Sequence, residues 1–431
     1  MWYTLKMKKK FTKTILNNGL RIITVPMTDS GTTTVVVLVE AGSNYENKEN
    51  NGISHFLEHM CFKGTKNRPS SAVISHELDS LGSKSNAFTG NEETGYWAKA
   101  HYAKTNELID IVSDIFLNST LPAQEMEREK GVVIEEINMY EDNPQWKALE
   151  VIEEVLFPGQ AAGRSIAGPQ ENIRRMTRQD FIDYKKKHYT AGATTVVVAG
   201  KIDERNVINK ISELFEVAPD GSPAELPVVK VRQIKPAVKL VGRDTDQTHL
   251  VIGFHAYDRH DPRGNALRVL STILGGGMSS RLFQKMREEL GICYYVKPTI
   301  DFGRNYGSFV LAAGVTNDRL DEAITGMMSE VRRLKTELVP EKELQKAKDY
   351  RIGNLFMGLE SSDKLGEFYA LQELCHDKTI KTPEEMADDI QKVTAEEVRD
   401  VAREIFRADN ANLAIVGPKQ DEVALSDLLI L

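Results

Sequence analysis

His55, Glu58 and His59, within Asn51 to Met60 (NGISHFLEHM), place two imidazoles and a carboxylate in little more than one helical turn. On an α-helix, positions i, i+3 and i+4 share a face, so all three side chains point at one small volume. Two neutral imidazoles at that spacing can hold a divalent zinc ion. A catalytic zinc site takes three protein ligands and keeps a fourth position for water, whose pKa the metal lowers to about 7. Glu58 is then the candidate base for that water's proton. The order His-x-x-Glu-His reverses the commoner His-Glu-x-x-His. A solvated helix face can carry the same residues, and five positions alone do not decide between the two. Phe56 and Leu57 add an apolar flank, and Asn51-Gly52 reads as a turn that starts the helix. The segment is therefore expected to be partly buried, where charges need partners.

A third ligand must come from elsewhere in the chain. Residues 126–140 (MEREKGVVIEEINMY) read as a helix carrying Glu127, Glu129, Glu135 and Glu136 around apolar Val132, Val133, Ile134 and Ile137. Glu129 and Glu136 lie two turns apart on one face, so one could bind a metal while the other supports it.

HFLEHMCFKGT at 55–65, followed by this glutamate helix, resembles the pitrilysin and mitochondrial processing peptidase family of inverted-motif zinc metallopeptidases, especially its smaller two-domain bacterial members. The resemblance runs over essentially the whole chain. It implies one zinc per chain, held by His55, His59 and Glu136, with Glu135 as the alternative to the last. It also implies that Glu129 supports the ligands from behind, and that the strand containing Asn86 and Ala87 forms a sheet edge on which a peptide substrate lies extended. Such backbone pairing reads conformation more than side chains.

Length and composition bound the remaining readings. A chain of 431 residues is too long for one ordinary core and points to two or more domains. With 41% hydrophobic and 27% charged residues it is of globular type. A net charge of −8 argues against a nucleic-acid partner, because phosphate contacts need a basic surface. Lys8-Lys9-Lys10 reads as a solvated tail. No apolar run approaches the roughly 18 residues of a membrane helix, and the amino-terminal residues lack a secretory or transit signature. Cys61, Cys293 and Cys375 are odd in number and far apart, which fits a reducing compartment, so a cytoplasmic location is expected.

The positioning elements follow from periodicity. Residues 14–25 read as a hairpin around Asn17-Asn18-Gly19, 33–39 as a buried strand, 71–81 as a helix and 84–100 as strand. Residues 102–118 form an amphipathic helix, 176–189 another helix, and 194–199 a closing strand. This order returns in the strand at 248–254, the helices at 321–334, 341–348 and 393–406, and the strand at 411–416. The fold class is thus α+β, with two tandem similar domains, each a largely antiparallel sheet packed with helices. The expected division is a zinc-binding domain at 1–218, a linker at 219–236 and a second domain at 237–431.

The second half lacks the zinc motif. It carries Gly275-Gly276-Gly277, without the lysine and hydroxyl residue of a phosphate-binding loop, and then Arg287 and Tyr294. His255 and His260 read as surface residues. By resemblance, Arg287 and Tyr294 hydrogen-bond the substrate backbone near the scissile bond; Tyr295 and Arg281 are the neighbouring competitors, and a surface ion pair is the rival use of Arg287. The expected function is a zinc endopeptidase acting on oligopeptides or unfolded segments, as a homodimer around a closed chamber. The alternative is a catalytically silent structural or substrate-binding subunit of a heterodimer.

Overall fold

The structure, a computed structural model, describes residues 10–375, 379–418 and 422–429. Lys8 and Lys9 of the basic run lie outside them. The chain divides into two compact units. Unit 1 comprises Met1–Ile137, Ser165–Pro227 and Met357–Thr382; unit 2 comprises Asn138–Arg164, Val228–Phe356 and Pro383–Leu431.

Unit 1 is built on a sheet of six strands: β1 (Thr12–Ile15), β2 (Arg21–Pro26), β3 (Thr32–Val39), β4 (Lys84–Thr89), β5 (Thr94–His101) and β6 (Thr194–Gly200). Their order is β1-β2-β6-β3-β5-β4, with every neighbouring pair antiparallel except β2 and β6. The uninterrupted apolar run of β3 has a direct cause. Val35, Val37 and Val39 enter the core under helices α1 (Ile53–Cys61) and α3 (Thr105–Asn118), while Val36 and Leu38 pack on the other face against helix Ser362–Leu374. With both faces covered, the stretch from Val35 to Val39 is apolar on both sides of the strand.

Residues 84–100, read as strand, form a hairpin of β4 and β5, turned at Gly90. β4 ends the sheet, so one of its backbone edges has no strand partner. Two further helices complete the motifs that matter below: α2 (Ser71–Ser80) and α4 (Ala123–Asp142).

Unit 2 repeats the plan with five strands: β7 (Ala237–Gly242), β8 (Gln247–His255), β9 (Cys293–Phe302), β10 (Gly307–Thr316) and β11 (Asn412–Gly417). The order β7-β11-β8-β10-β9 again contains one parallel pair, β7 with β11. Its second face is covered by helix α5 (Pro144–Leu156), whose Ile152 lies so close over Gly253 that a Cβ there would stand 2.6 Å from it.

The tandem α+β architecture is therefore present, but the units are not the linear blocks 1–218 and 237–431. Residues 219–236 contain neither helix nor strand, as a linker should. The first half of the chain gives α5 to unit 2, and the second gives helix Ser362–Leu374 to unit 1. Asn143-Pro144 follows the end of α4 and starts α5: the Asn143 side chain accepts from the Gln145 and Trp146 amides, and proline suits the first helical position. His255 departs from the surface role expected of it. It sits half-buried at the end of β8, where burial pushes its imidazole down to about 4. Among the described residues, no helix is long and apolar enough to cross a membrane.

Candidate metal centre

α1 is fixed at its start by a buried carboxylate. Glu46 accepts hydrogen bonds from the Gly52 and Ser54 amides and from the Asn51 side chain, each at 2.8 Å. These amides belong to the first turn, where the helix dipole favours negative charge. Burial raises the Glu46 pKa, and the bonds from Asn51 and Ser54 oppose that rise. Gly52 has a left-handed φ of 100°, and a Cβ there would stand 2.5 Å from the Ala167 carbonyl oxygen. Gly52→Ala is expected to lower stability by about 1–3 kcal/mol, the usual range for such backbone strain. A urea midpoint equal to wild type would show that the turn relaxes without loss.

With its entry set, α1 buries Phe56, Leu57, Met60 and Cys61 completely, Phe56 edge-on against Phe181 at 4.9 Å. The opposite face then carries His55, Glu58 and His59, as the spacing requires. α4 buries Met126, Glu129, Val133 and Ile137, a stripe that brings Glu129 and Glu136 to the same site and leaves Glu135 exposed. Geometry thereby separates the two adjacent glutamates.

One carboxylate oxygen of Glu136, Oε2, lies 3.5 Å from His55 Nε2 and 3.4 Å from His59 Nε2. These separations exceed a good hydrogen bond. They equal the edge of a tetrahedron with metal–ligand bonds of about 2.1 Å, which is about 3.4 Å. One donor atom from each of His55, His59 and Glu136 lies within 4.8 Å of the others, and no other such group of three occurs among the described residues.

Outer contacts prepare these donors. His59 Nδ1 is 3.0 Å from Glu129 Oε1; a carboxylate only accepts, so Nδ1 carries the proton and Nε2 is the nitrogen left to face Glu136. Lys63 Nζ in turn binds Glu129 Oε2 at 2.6 Å. His55 Nδ1 is buried without a hydrogen-bond partner among the described residues, so no contact from behind supports that ring as Glu129 supports His59. The charges favour a cation. Burial lowers the His59 pKa, but the Glu129 and Glu136 carboxylates outweigh it and raise the imidazole to about 9. His55 and His59 together hold Glu136 well below the usual carboxylate range. The donor set, its spacing and its charge therefore fit zinc.

Glu58 stands beside this group. Burial raises its pKa, against a hydrogen bond of 2.6 Å that Thr89 Oγ1 donates to its Oε2. Thr89 and Lys63 were not among the residues that sequence singled out. Lys63 is four positions after His59, a spacing that reads as one helix face; no signal in the sequence announces the Thr89 contact. Asn86 is exposed on β4, and its side-chain oxygen accepts from the Ala87 amide at 2.9 Å.

In unit 2, Arg287 lies on a short π-helical turn, Phe283–Glu289, a local widening that sequence periodicity does not report. Its Nη1 donates to the Tyr294 carbonyl oxygen at 3.3 Å, and its guanidinium carbon is 5.9 Å from the Tyr294 ring. The competitors are engaged elsewhere: Arg281 forms a two-point pair with Glu343, and the Tyr295 hydroxyl meets His249 at 3.0 Å. Tyr294 is 75% exposed, and Arg287 has no carboxylate partner among the described residues.

Comparison with known proteins shows the family of the chain. Residues 21–170 match the model described as "Insulinase (Peptidase family M16)", and residues 175–350 match "Peptidase M16 inactive domain". An "Uncharacterized zinc protease" of Rickettsia felis is 32% identical, over 96% of this chain and 98% of that protein. The "Probable mitochondrial-processing peptidase subunit beta, mitochondrial" of Arabidopsis thaliana is 29% identical over 95% and 78%. A solved protease structure from Helicobacter pylori superposes with a TM-score of 0.88 at 22% identity, over 95% and 99% of the two chains, and shares the fold. The chain belongs to the M16 peptidase family.

Proposed function

We propose that this protein is a zinc-dependent endopeptidase that hydrolyses oligopeptides or unfolded segments. The observation that carries the proposal is the convergence of His55, His59 and Glu136 at tetrahedral spacing with Glu58 beside them. Zinc, when bound, supplies Lewis acidity, which polarises a carbonyl and acidifies water. The rest of the reaction belongs to the chain. Glu58 takes a proton from the attacking water and passes it to the leaving amine nitrogen as the peptide C–N bond breaks. Its burial raises its basicity toward what that task needs, and Thr89 keeps the rise in check.

The free edge of β4, with Asn86 and Ala87, offers backbone groups to an extended peptide. Such a peptide would displace the Asn86 side chain from the Ala87 amide. Arg287 and Tyr294 are assigned to hold the substrate backbone, on the strength of their exposed and available polar ends. Pairing of two chains around a closed chamber is part of the same proposal. The silent-subunit alternative is disfavoured because no residue of the donor set is missing.

The test is elemental analysis together with cleavage of a quenched mixed-peptide library and light scattering of the same preparation. Expected are about one zinc per chain, activity lost to chelator and restored by zinc, and a dimer. A protein that binds no metal and cuts nothing with added zinc would move the reading to the structural subunit. A fully active monomer would remove the paired chamber.

A further inference from the structure

We infer that Thr89 is a positioning residue that fixes which oxygen of the Glu58 carboxylate handles the transferred proton. The inference rests on the peptidase reading above.

Glu58 reaches the site through three side-chain torsions, and its own helix gives its carboxylate no hydrogen bond. Among the described residues its only hydrogen-bond partner is the Thr89 hydroxyl, at 2.6 Å from Oε2. Thr89 is itself held rigidly. It closes the β4–β5 hairpin opposite Thr94, and the turn beyond it is pinned by the Gly90 amide donating to the Glu93 carbonyl oxygen at 2.7 Å. Thr94 on the facing strand is fixed in turn, its hydroxyl donating to the Ala41 carbonyl oxygen at 2.7 Å. β-Branching restricts the Thr89 rotamer further.

A donor fixed in this way has a defined consequence for a carboxylate. One lone pair of Oε2 is engaged by this donor, which makes Oε2 the less basic oxygen and Oε1 the one favoured to receive the proton from water. Once Glu58 is protonated on Oε1, Oε2 is the carbonyl-like oxygen and still accepts from Thr89. The same hydrogen bond therefore survives both halves of the cycle, and Thr89 keeps its own proton throughout. The water O–H bond breaks toward Oε1, and that proton later leaves for the amine nitrogen.

The location of Thr89 adds a second role to this contact. Ala87 and Thr89 alternate with Phe88, which packs on the opposite face of the sheet with helix Ser362–Leu374. The strand offered to the substrate is thus tied through one hydroxyl to the base that acts on it. A peptide that pairs with β4 is placed relative to Glu58 by a single short strand rather than by separate parts of the fold.

Thr89→Val and Thr89→Ser, compared with wild type as zinc-loaded enzymes on one fluorogenic peptide, test this. Valine keeps the shape and removes the donor; serine keeps the donor and removes the methyl group. Thr89→Val is expected to lower kcat by about tenfold to a hundredfold, the scale of a misplaced reacting group, with KM and zinc per chain unchanged. Thr89→Ser is expected to recover kcat to within a few-fold of wild type. A wild-type kcat in Thr89→Val, or equal losses in the valine and serine variants, would overturn the inference and leave the peptidase reading standing. A wild-type protein that cleaves nothing would overturn both.

Discussion

Glu58→Gln is expected to retain about one zinc per chain while kcat falls a hundredfold or more, the contribution of a positioned general base. The amide matches the carboxylate in size, and its oxygen can still accept from Thr89, so the hairpin contact survives. What is lost is the lone pair of an anion at the point where water must give up a proton. The fold has no reason to weaken. Glu58 is a largely buried carboxylate whose pKa is raised first of all by desolvation, so a neutral amide removes a charge that burial disfavours. An undiminished thermal midpoint with collapsed turnover would therefore separate chemistry from structure. Peptide cleavage at the wild-type rate by this variant would remove Glu58 as the base.

The chain announced the first part of this site and concealed the second. The positions of His55, Glu58 and His59 are local, set by a helix whose period is fixed, so the sequence sufficed to put them on one face. Glu136 required knowing which face of α4 is buried. The i, i+3, i+7 stripe of Met126, Glu129 and Val133 carried that information, but Glu135 and Glu136 could be told apart only once the helix was docked. Thr89 illustrates the limit. Its contact with Glu58 spans 31 positions and depends on a hairpin turn and a rotamer, neither of which leaves a periodic trace.

The fold shows the same division between local and distant information. Hydrophobic runs identified β3 as a buried strand and β8 as its counterpart, yet nothing in those runs names what covers their faces. α5 and helix Ser362–Leu374 exchange between the chain's halves because each sheet needs a second helical layer, and the chain supplies it from whichever segment reaches. Arg287 is a further case. Its π-helical turn changes the direction of the side chain by one extra residue per turn, so a count of seven to Tyr294 could not by itself tell which atoms meet.

The two glutamates of α4 should separate sharply when each is changed to glutamine. Glu136→Gln removes the anionic oxygen on which both imidazoles converge, and zinc is expected to be lost at equimolar supply, with activity lost alongside. Glu129→Gln leaves an amide oxygen that can still accept from His59 Nδ1, so orientation of the ring persists while the negative charge behind it is gone. Loss of such outer support typically weakens metal binding by about tenfold to a hundredfold. The change also leaves the Lys63 ammonium, now without its carboxylate at 2.6 Å, close behind the ligand it formerly helped to stabilise. Zinc affinity measured against a competing chelator should therefore rank wild type above Glu129→Gln, and Glu129→Gln above Glu136→Gln. An inverted order would make Glu129 the ligand and Glu136 the support. Since His59 already presents Nδ1 to Glu129 and Nε2 to Glu136, that inversion would require the imidazole to turn over, which the helix packing of Phe56 and Met60 on the far side of α1 gives it no cause to do.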